Sequence, residues 1–425
     1  MSYGVYGPIK TIDKRYATYH DISLKLFGDR ILMYLQGNGE WSIYDLGFNK
    51  ISTIKNSMDF ARTFNLTIHR FGKLPELYTG HRDGDSPRCP SPRNTCASEL
   101  ERYVYGENTT EVICPNEGCD EGCIYVAYYD AKTGKILAGT SGGFPNIGSG
   151  NKLYIIDPNT KTYVKWRAAG AGSNTHFQCM LYVYDENTLY VGIKKQPRLG
   201  GEIEIRKYDV SEFYDVFGTG YIEDYGERVY YDESLFNYDL AVGTALTNFP
   251  FRKEILVTNE YGEYYLFNLD NFTRTRTYIV SIYGKYGISM HPVPYVLRII
   301  DRDANTVLAN VTLEHGEIYV DSPQIDAPFV VTQDENSFYI YLVTLNGVAP
   351  VIQYNHNERK FRVVDFITGN PVTADVWIVK SRFCFPSISF PINIQPTTIR
   401  VSDWTPIPSA KYTECVSIMI SDVVV

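Results

Sequence analysis

The 425-residue sequence lacks the features that mark several large classes of protein. No apolar run reaches the 18 or more residues of a membrane span. Its 33 glycines and 21 prolines are an ordinary share, which excludes collagen-like and low-complexity chains. With 40 Lys and Arg against 49 Asp and Glu, the net charge of −9 argues against nucleic acid as a partner. The N-terminal stretch MSYGVYGPIKTIDKRY has no apolar segment after its charges, so we expect no signal peptide.

Signatures of catalysis are also missing. The seven histidines are scattered, none at ligand spacing from another, and no HExxH, GxSxG or Walker sequence is present. Residues 139–150 are rich in glycine, but a strand pattern rather than a helix follows them, which favours a hairpin loop over a phosphate cradle. We therefore predict no catalytic residues, no metal and no cofactor, and an enzyme is the less favoured interpretation.

What the sequence has in abundance is tyrosine, with 36 residues. Tyr, Val, Ile and Thr favour the half-buried surface of a β-sheet. Short alternating stretches bounded by Gly, Asn and Asp predict strands and hairpins, and only residues 57–64 and 97–103 read as short helices. The predicted fold class is all-β.

Four segments share a glycine-started strand that ends near Asp or Asn: GEWSIYDL (39–46), GNKLYIID (150–157), GEIEIRKYDV (201–210) and GEYYLFNL (262–269). Each follows a β-rich stretch and precedes a turn and another short strand. Such units need neighbours to bury both faces, which predicts a β-propeller of about five to seven blades over residues 1–285. The pattern resembles the blades of YVTN- or kelch-like propellers. The alternative is a β-sandwich with repeated hairpins.

A different repeat occupies the C-terminal third. RIIDRDANTVLANVTL (298–313) aligns with RVVDFITGNPVTADVWIV (362–379), which predicts two small immunoglobulin-like β-sandwich domains at 286–358 and 359–425. The second copy resembles the carboxypeptidase-regulatory or Cna-B-like family, and this resemblance implies a spacer or stalk on a surface protein. A competing alignment of DENSFYI (334–340) with DENTLYV (185–191) places a further blade near residues 330–365 instead.

Eight cysteines are disulfide candidates: Cys89, Cys96, Cys114, Cys119, Cys123, Cys179, Cys384 and Cys415. The first five lie in a Pro- and Gly-rich stretch, which we interpret as an insertion at about 85–124. Disulfides are favoured over zinc, an iron–sulfur cluster or free thiols, because most spacings are wider than zinc knuckles use. Cys384 and Cys415 flank the last repeat and are placed to bridge across it. Cys179 is either the partner of the odd fifth cysteine or a buried thiol.

The sequons at Asn65, Asn108, Asn271 and Asn310 are candidate glycosylation sites. Together with the cysteines, they favour a non-enzymatic virion or cell-surface adhesion protein, on a virion surface or extracellular. Its propeller head would recognise a host surface protein or glycan, and its stalk would attach to other structural proteins of the same assembly, with homo-oligomers as a further possibility. One alternative is a propeller glycosidase or lyase that acts on surface polysaccharide through paired acids in the channel. Another is an intracellular scaffold of a hyperthermophile, where disulfides also occur.

Overall fold

A computed structural model describes most of the chain: residues 3–14, 22–35, 40–55, 62–69, 73–81, 100–107, 109–114, 123–141, 152–167, 176–196, 202–217, 225–232, 247–248, 253–258, 264–271, 273–292, 295–315, 317–318, 328–386 and 393–424. The described part is almost entirely β-structure. The all-β class predicted from the sequence is therefore confirmed.

After strand β1 (Gly4–Asp13), each of sheets 1 to 3 takes four consecutive antiparallel strands. Sheet 1 contains β2 (Ile22–Phe27), β3 (Arg30–Leu35), β4 (Glu40–Asp45) and β5 (Lys50–Lys55). Sheet 2 contains β6 (Arg62–Ile68), β7 (Glu76–His81), β8 (Leu100–Val104) and β9 (Thr110–Cys114). Sheet 3 contains β10 (Cys123–Asp130), β11 (Lys135–Ser141), β12 (Lys152–Asp157) and β13 (Thr162–Arg167).

Sheets 4 to 6 are also built from four consecutive strands, whereas sheet 7 has only three consecutive strands. Sheet 4 contains β14 (His176–Val183), β15 (Thr188–Gln196), β16 (Glu202–Asp209), helix α1 (Val210–Phe217) and β17 (Glu227–Asp232). Sheet 5 contains β18 (Thr247–Asn248), β19 (Glu254–Thr258), β20 (Tyr264–Asn268) and β21 (Arg274–Thr277). Sheet 6 contains β22 (Ile279–Tyr283), β23 (Tyr286–Pro292), β24 (Tyr295–Asp301) and β25 (Thr306–Thr312). Sheet 7 contains β26 (Glu317–Ile318), β27 (Phe329–Gln333) and β28 (Ser337–Thr344).

The N-terminal strand supplies the fourth strand of sheet 7. Strand β1 runs antiparallel to β28, from the pair Gly4 and Thr344 to the pair Asp13 and Ser337. The two ends of a run of more than 300 residues are thereby held in one sheet, so the array of sheets closes on itself.

Neighbouring sheets pack face to face around this ring. Apolar cores join sheet 1 to sheet 2, sheets 2, 3 and 4 to one another, sheet 6 to sheet 7, and sheet 7 back to sheet 1. Sheet 5 is tied in by polar contacts, since Lys253 hydrogen-bonds Tyr184 of sheet 4 and Glu254 accepts a 3.0 Å bond from Arg302 of sheet 6. Seven such sheets, counted over the described residues, form a seven-bladed β-propeller.

The sequence repeat corresponds to the third strand of a blade. The four segments are β4, β12, β16 and β20, and the carboxyl or amide oxygen at the end of each caps the following turn. Asp45 Oδ1 accepts from the Gly47 amide at 2.9 Å, for example, and Asn268 Oδ1 from the Asp270 amide at 2.8 Å. In sheet 4 the same position, Asp209, caps the Ser211 amide at 2.8 Å and begins α1. Each repeat therefore marks one blade.

The C-terminal region forms one sandwich, not two. Its first sheet contains β29 (Pro350–Asn355), β30 (Lys360–Asp365) and β34 (Thr405–Pro406). Its second contains β31 (Ala374–Ser381), β33 (Thr397–Val401) and β35 (Cys415–Val423), while β32 (Phe383–Cys384) leaves the sandwich to join sheet 3. Apolar residues of the two sheets fill the space between them, including Phe361, Val376 and Ile418.

The boundary expected at residue 286 is displaced. Residues 286–312 are the last three strands of sheet 6, and residues 317–344 build the closing blade, so no separate domain occupies 286–358 among the described residues. The sandwich begins at Pro350 rather than at residue 359. The competing alignment near residues 330–365 was right in part, because β27 and β28 do extend the propeller as far as Thr344.

The expected cysteine-rich insertion and the two short helices also differ from the structure. Strands β8 and β9 and the start of β10 lie between residues 85 and 124, so this stretch contributes half of sheet 2. Within 57–64 and 97–103, the described residues belong to strands β6 and β8. Glu101 and Tyr103 are buried, whereas Arg102 and Val104 are only partly buried, and this two-residue alternation is that of a strand rather than a helix.

Candidate functional site

The sandwich lies over one end of the propeller, which we name the covered face. At this face lie the turn between β2 and β3, where Gly28 approaches His356 of the sandwich, and the turn between β4 and β5. Phe366 of the sandwich packs against Phe48 of the turn between β4 and β5, and the edge-on ring centroids are 6.0 Å apart. In the connection that follows β28, Asn346 Nδ2 donates a hydrogen bond to the carbonyl oxygen of Val423 in the sandwich. At the covered face, residues of the sandwich and of the propeller contact each other.

Strand β32 reaches inward from the sandwich toward the axis. It pairs with β10, the first strand of sheet 3, through Cys384 opposite Tyr129 and Phe383 opposite Asp130. β10 itself contacts β6 and β14, the first strands of the two neighbouring sheets, which places it on the inner side of the ring. Phe383 and Cys384 are almost completely buried there. The sandwich thus places one strand in the mouth of the central channel.

A buried ion pair secures this strand. The Arg382 guanidinium donates two hydrogen bonds to the Asp130 carboxylate, at 2.8 and 2.7 Å, and Asp130 is fully buried. Tyr214 of α1 and Thr133 also donate to Asp130 Oδ2, at 2.7 and 3.0 Å. Burial alone would raise the pKa of Asp130, but the bonds from Arg382 and Tyr214 outweigh it and lower the pKa. These hydrogen bonds occupy the oxygen atoms of the carboxylate, so Asp130 has a structural role.

A second ion pair holds the sandwich on the opposite side of the ring. Lys285 and Tyr286, at the start of β23, both hydrogen-bond the carboxylate of Asp422 in β35. Gly284 precedes them with φ near +57°, and a Cβ there would lie 2.7 Å from the carbonyl oxygen of Ile420. Only glycine lets the two backbones approach so closely.

A stack of aromatic rings fills the edge between sheet 2 and the sandwich. The Tyr354 ring stacks on His356 with centroids 5.5 Å apart and an interplanar angle of 9°. The Tyr354 ring also approaches His69, which follows β6, at 5.1 Å, and the two imidazole centroids are 6.2 Å apart. His356 also meets the Tyr105 ring edge-on at 4.3 Å. We name these four residues the histidine–tyrosine stack.

Both imidazoles of the stack are neutral at ordinary pH. Burial, with the nearby charges of His356 and Lys25, lowers the pKa of His69 to about 3. Burial lowers the pKa of His356 to about 4, and the carboxylate of Asp29 offsets only part of this. Nε2 of His356 is buried next to the Cα of Gly28, and none of the described residues is its hydrogen-bond partner. Protonating such a group in place is costly, since nothing nearby accepts its proton.

The stack forms one wall of a small open cleft. The described residues that line it are His69, Lys73, Leu74, Pro75, His356, Arg359, Ile407, Pro408, Ala410 and Val416. Its other walls are apolar, and two positively charged side chains, Lys73 and Arg359, border it. This cleft is the candidate functional site.

The structure joins two of the eight candidate cysteines. Cys384 of β32 and Cys415 of β35 form a disulfide with their Cα atoms 5.3 Å apart, and it ties the strand in the channel mouth to the sandwich. Cys114, Cys123 and Cys179 lie in β9, β10 and β14. Cys89, Cys96 and Cys119 lie outside the described residues. The disulfide predictions for these other six cysteines stay predictions.

The four candidate glycosylation sites fall in different places. Asn310 is exposed on β25, and Asn271 is exposed in the turn after β20, where its Oδ1 accepts from the Thr273 hydroxyl at 2.6 Å. Asn65 lies in β6, and Asn108 lies outside the described residues. The two exposed side chains remain open to modification.

Neither a metal centre nor a membrane span is found in the part of the chain that the structure describes. No group of three His, Cys, Asp or Glu residues there could hold a metal ion. No helix there is long and apolar enough to cross a membrane.

Similarity to known proteins is found in structure but not in sequence. No family model matches the chain, and neither does any curated protein. Among solved structures, the chain is similar to the crystal structure of the Myceliophteria thermophila Cps50 (Swd1) β-propeller domain. The identity is 12%, the match covers 81% of this chain and 100% of that one, and the TM-score is 0.45.

Proposed function

We propose that the chain is a non-catalytic scaffold that binds partner proteins through the outer surface of its propeller. The observation that carries the proposal is the anchored sandwich: β32 extends sheet 3 inward, and Arg382 neutralises the carboxylate of Asp130. The acid at the covered end of β10 is therefore committed to holding the fold, not placed for substrate. With the sandwich lying on one face of the propeller, the rim is left for binding partners.

The rim has the features of a binding surface. The fourth strand of each blade ends its sheet, so one edge of its backbone has no partner strand among the residues that the structure describes. Large apolar side chains stand exposed on four of these strands: Tyr6 (50%), Ile51 (53%), Val164 (53%) and Val307 (50%). An open edge with apolar side chains is suited to strand addition or side-on packing by another protein.

Site-specific photo-cross-linking tests the scaffold proposal. A benzophenone amino acid placed at Ile51 or Val164, in protein expressed in its native source, is expected to capture the same partner in each case. The control position is Tyr412, which is 84% exposed on the sandwich and far along the chain from any rim strand. Equal capture from all three positions, or hydrolysis of surface glycans by the purified protein, would contradict the proposal.

A second candidate is attachment at a virion or cell surface. The disulfide between Cys384 and Cys415 and the exposed sequons Asn271 and Asn310 favour it. Disulfides alone do not decide, because they also form inside hyperthermophiles. The mass of the intact protein from its native source separates the two candidates: attached glycans support a surface location, and an unmodified chain argues for the scaffold.

A further inference from the structure

We propose that the histidine–tyrosine stack is a pH-sensitive switch: in mildly acidic solution it releases the tip of the β29–β30 hairpin of the sandwich from sheet 2. This inference does not depend on the scaffold proposal, because the stack lies between sheet 2 and the sandwich and not on the rim. It stands on the contacts that hold the sandwich, on the packing of the two imidazoles and on the charges around them.

The stack differs from the other contacts that hold the sandwich, because it contains histidine. The other contacts described above are the pairing of β32 with β10, the Arg382–Asp130 ion pair, the bonds of Lys285 and Tyr286 to Asp422, and the packing of Phe366 on Phe48. None of them includes an imidazole, the side chain whose ordinary pKa places its charge change between about pH 5 and pH 8. Mild acid therefore acts on the stack and leaves these contacts closed.

The two imidazoles come from opposite sides of the contact. His69 follows β6 of sheet 2, whereas His356 begins the turn at the tip of the hairpin, between Asn355 of β29 and Lys360 of β30. Their ring centroids are 6.2 Å apart, and the Tyr354 ring lies close to both. Moving the tip away from sheet 2 therefore separates the two imidazoles.

The base of the hairpin is held independently of the tip. Phe366, directly after β30, contacts the rings of Phe48 and Phe329, which belong to sheets 1 and 7. The pairing of β29 with β30 continues from the base to the tip for five further residues, a length of about 17 Å at about 3.4 Å per residue. The tip can thus leave sheet 2 while the base stays in contact with the propeller.

The closed stack does not accommodate a protonated His356. An imidazolium carries an N–H group on each ring nitrogen, and none of the described residues accepts a bond from Nε2. A Cβ added to Gly28 would lie 2.9 Å from this atom, so the two sides are too close for a water molecule between them. This packing is consistent with burial lowering the pKa of His69 to about 3 and that of His356 to about 4. Opening returns both rings to water and to an ordinary pKa of about 6.5.

The charges around the stack also oppose its double protonation. Two imidazolium ions 6.2 Å apart repel each other more than one of them gains from the face of the Tyr354 ring. The charged and titratable groups that the structure describes on the surrounding elements are Lys25 of β2, Asp29 and Arg30 of the β2–β3 turn, Lys73 before β7, Tyr105 and Glu107 after β8, and Glu358 and Arg359 of the hairpin. Of the carboxylates, Asp29 already accepts a bond from Tyr105, and Glu358 pairs with Lys360 at 2.9 Å.

Nuclear magnetic resonance of the full chain tests the switch. The histidine rings are labelled with ¹³C and the tryptophan indoles with ¹⁵N, and spectra are recorded from about pH 7.5 to about pH 4.5. We expect the His69 and His356 signals to lose the ring-current shifts of the stack together, with a Hill coefficient approaching two. The indole signals of Trp41, in the core between sheets 1 and 2, and of Trp404, beside Arg362 in the sandwich, should stay unchanged.

The steepness of the transition follows from the number of protons taken up. With a pKa of about 6.5 in the open form and of about 3 and about 4 in the closed form, the ratio of open to closed molecules rises about sevenfold per imidazole between pH 6 and pH 5. For the pair the rise is about fiftyfold. His356→Phe keeps a ring in the stack but removes one proton, so the Hill coefficient of His69 should fall to about one and its midpoint should move to lower pH. His315, which stacks on Tyr339 outside the histidine–tyrosine stack, is the internal control and should titrate with a Hill coefficient of about one.

The other outcomes contradict the switch. Titration of His69 and His356 with their ring-current shifts retained would overturn the proposal, because the rings would then be protonated in place. Simultaneous changes of the Trp41 and Trp404 signals would overturn it too, since the whole protein would then unfold. So would a stack that stays closed and unprotonated down to about pH 4.5, or a His69 curve equally steep in the wild type and in the His356→Phe variant. None of these results bears on partner capture at the rim.

Discussion

Acidification from about pH 7.5 to about pH 5 is expected to destabilise the protein through His69 and His356. Both imidazoles have a pKa well below the ordinary 6.5, at about 3 and about 4. A group whose pKa is lowered by folding stabilises the native state fully above its unfolded pKa. That contribution is lost as the pH falls from 6.5 toward the folded pKa. The window for this pair therefore lies between about pH 6.5 and pH 4.

The magnitude of the loss follows from the difference between the pKa of each imidazole in the unfolded and in the folded protein. One pKa unit corresponds to about 1.4 kcal/mol, so at pH 5 each imidazole costs up to about 2 kcal/mol relative to neutral pH. The charged groups around the two imidazoles do little to stabilise their protonated forms. Cationic Lys25, Lys73 and Arg359 lie around the stack, and the nearest carboxylate, Asp29, already accepts a bond from Tyr105. About 4 kcal/mol for the pair is a large part of a typical folding free energy of about 5–15 kcal/mol.

Urea denaturation at the two pH values measures this loss. His69→Phe and His356→Phe keep a ring in the stack but cannot be protonated, and each should remove up to about 2 kcal/mol of the acid-induced loss. His315→Phe is the matched control for exchanging an imidazole with a phenyl ring, because His315 stacks on the Tyr339 ring at 4.9 Å in an exposed position outside the histidine–tyrosine stack.

The reasoning fails if the double variant loses as much stability as the wild type between the two pH values. It also fails if the His315 variant behaves like the variants of the stack. Carboxylates such as Asp130 titrate at lower pH, so they do not produce the same result in this window.

Three further changes act on the anchored sandwich. Arg382→Met should destabilise the protein by about 3–5 kcal/mol in urea denaturation, because it leaves the buried Asp130 carboxylate without its counter-charge. Replacing both Cys384 and Cys415 by alanine should lower stability by about 3–4 kcal/mol, since the bridge closes a span of 31 residues. Gly28→Ala should cost more than 1 kcal/mol in thermal denaturation, because φ is +72° and the added Cβ would lie 2.7 Å from the Tyr105 ring.

Each of these changes has a control. Arg400→Met removes an exposed ion pair with Asp375 and should cost less than about 1 kcal/mol; an effect as large as that of Arg382→Met would argue against a special role for burial. A reductant should destabilise the wild type more than the variant without the two cysteines. Gly106→Ala shares a positive φ of +87° but meets nothing within 4 Å, so a loss equal to that of Gly28→Ala would exclude the packing argument.

The propeller was predictable because its blades repeat a local device. Asp45, Asp157 and Asn268 each end a third strand and cap a turn with a side-chain oxygen, and that requirement leaves the same letters in the sequence. A blade whose third strand ends in another kind of turn leaves no such Asp or Asn pattern in the sequence. After β8, for instance, the chain turns through Tyr105 and Gly106 without an aspartate, so sheet 2 left only a gap in the spacing.

The same device explains the misplaced boundary at residue 286. Asp301 ends the third strand of sheet 6 and accepts from the Asp303 amide at 2.9 Å, as Asp45 does in sheet 1. Asp365 of the sandwich caps a similar turn, with a 3.2 Å bond from the Ile367 amide. The alignment of residues 298–313 with 362–379 thus matched one strand–turn unit of the propeller with one of the sandwich. A single strand with its turn is too short a unit to define a domain.

The candidate site could not be predicted, because its residues meet only after folding. Arg382 and Asp130 are 252 positions apart, and His69 and His356 share no local pattern. Scattered histidines in a sequence indicate nothing about a stack until a sheet and a sandwich bring them together. The one pairing with a sequence signal was Cys384 with Cys415, since both flank the same small domain.

The pairing of β1 with β28 sets an order of events during synthesis. Ribosomes add about 5–20 residues per second, so the first strand emerges roughly 20–70 s before the strand that it joins. During that interval every other blade can assemble in sequence, while Gly4–Asp13 waits as an unpaired edge. Closure of the propeller therefore joins the first and the last strand of the ring, and a bulky fusion at the N-terminal end would delay that step more than one placed after the sandwich.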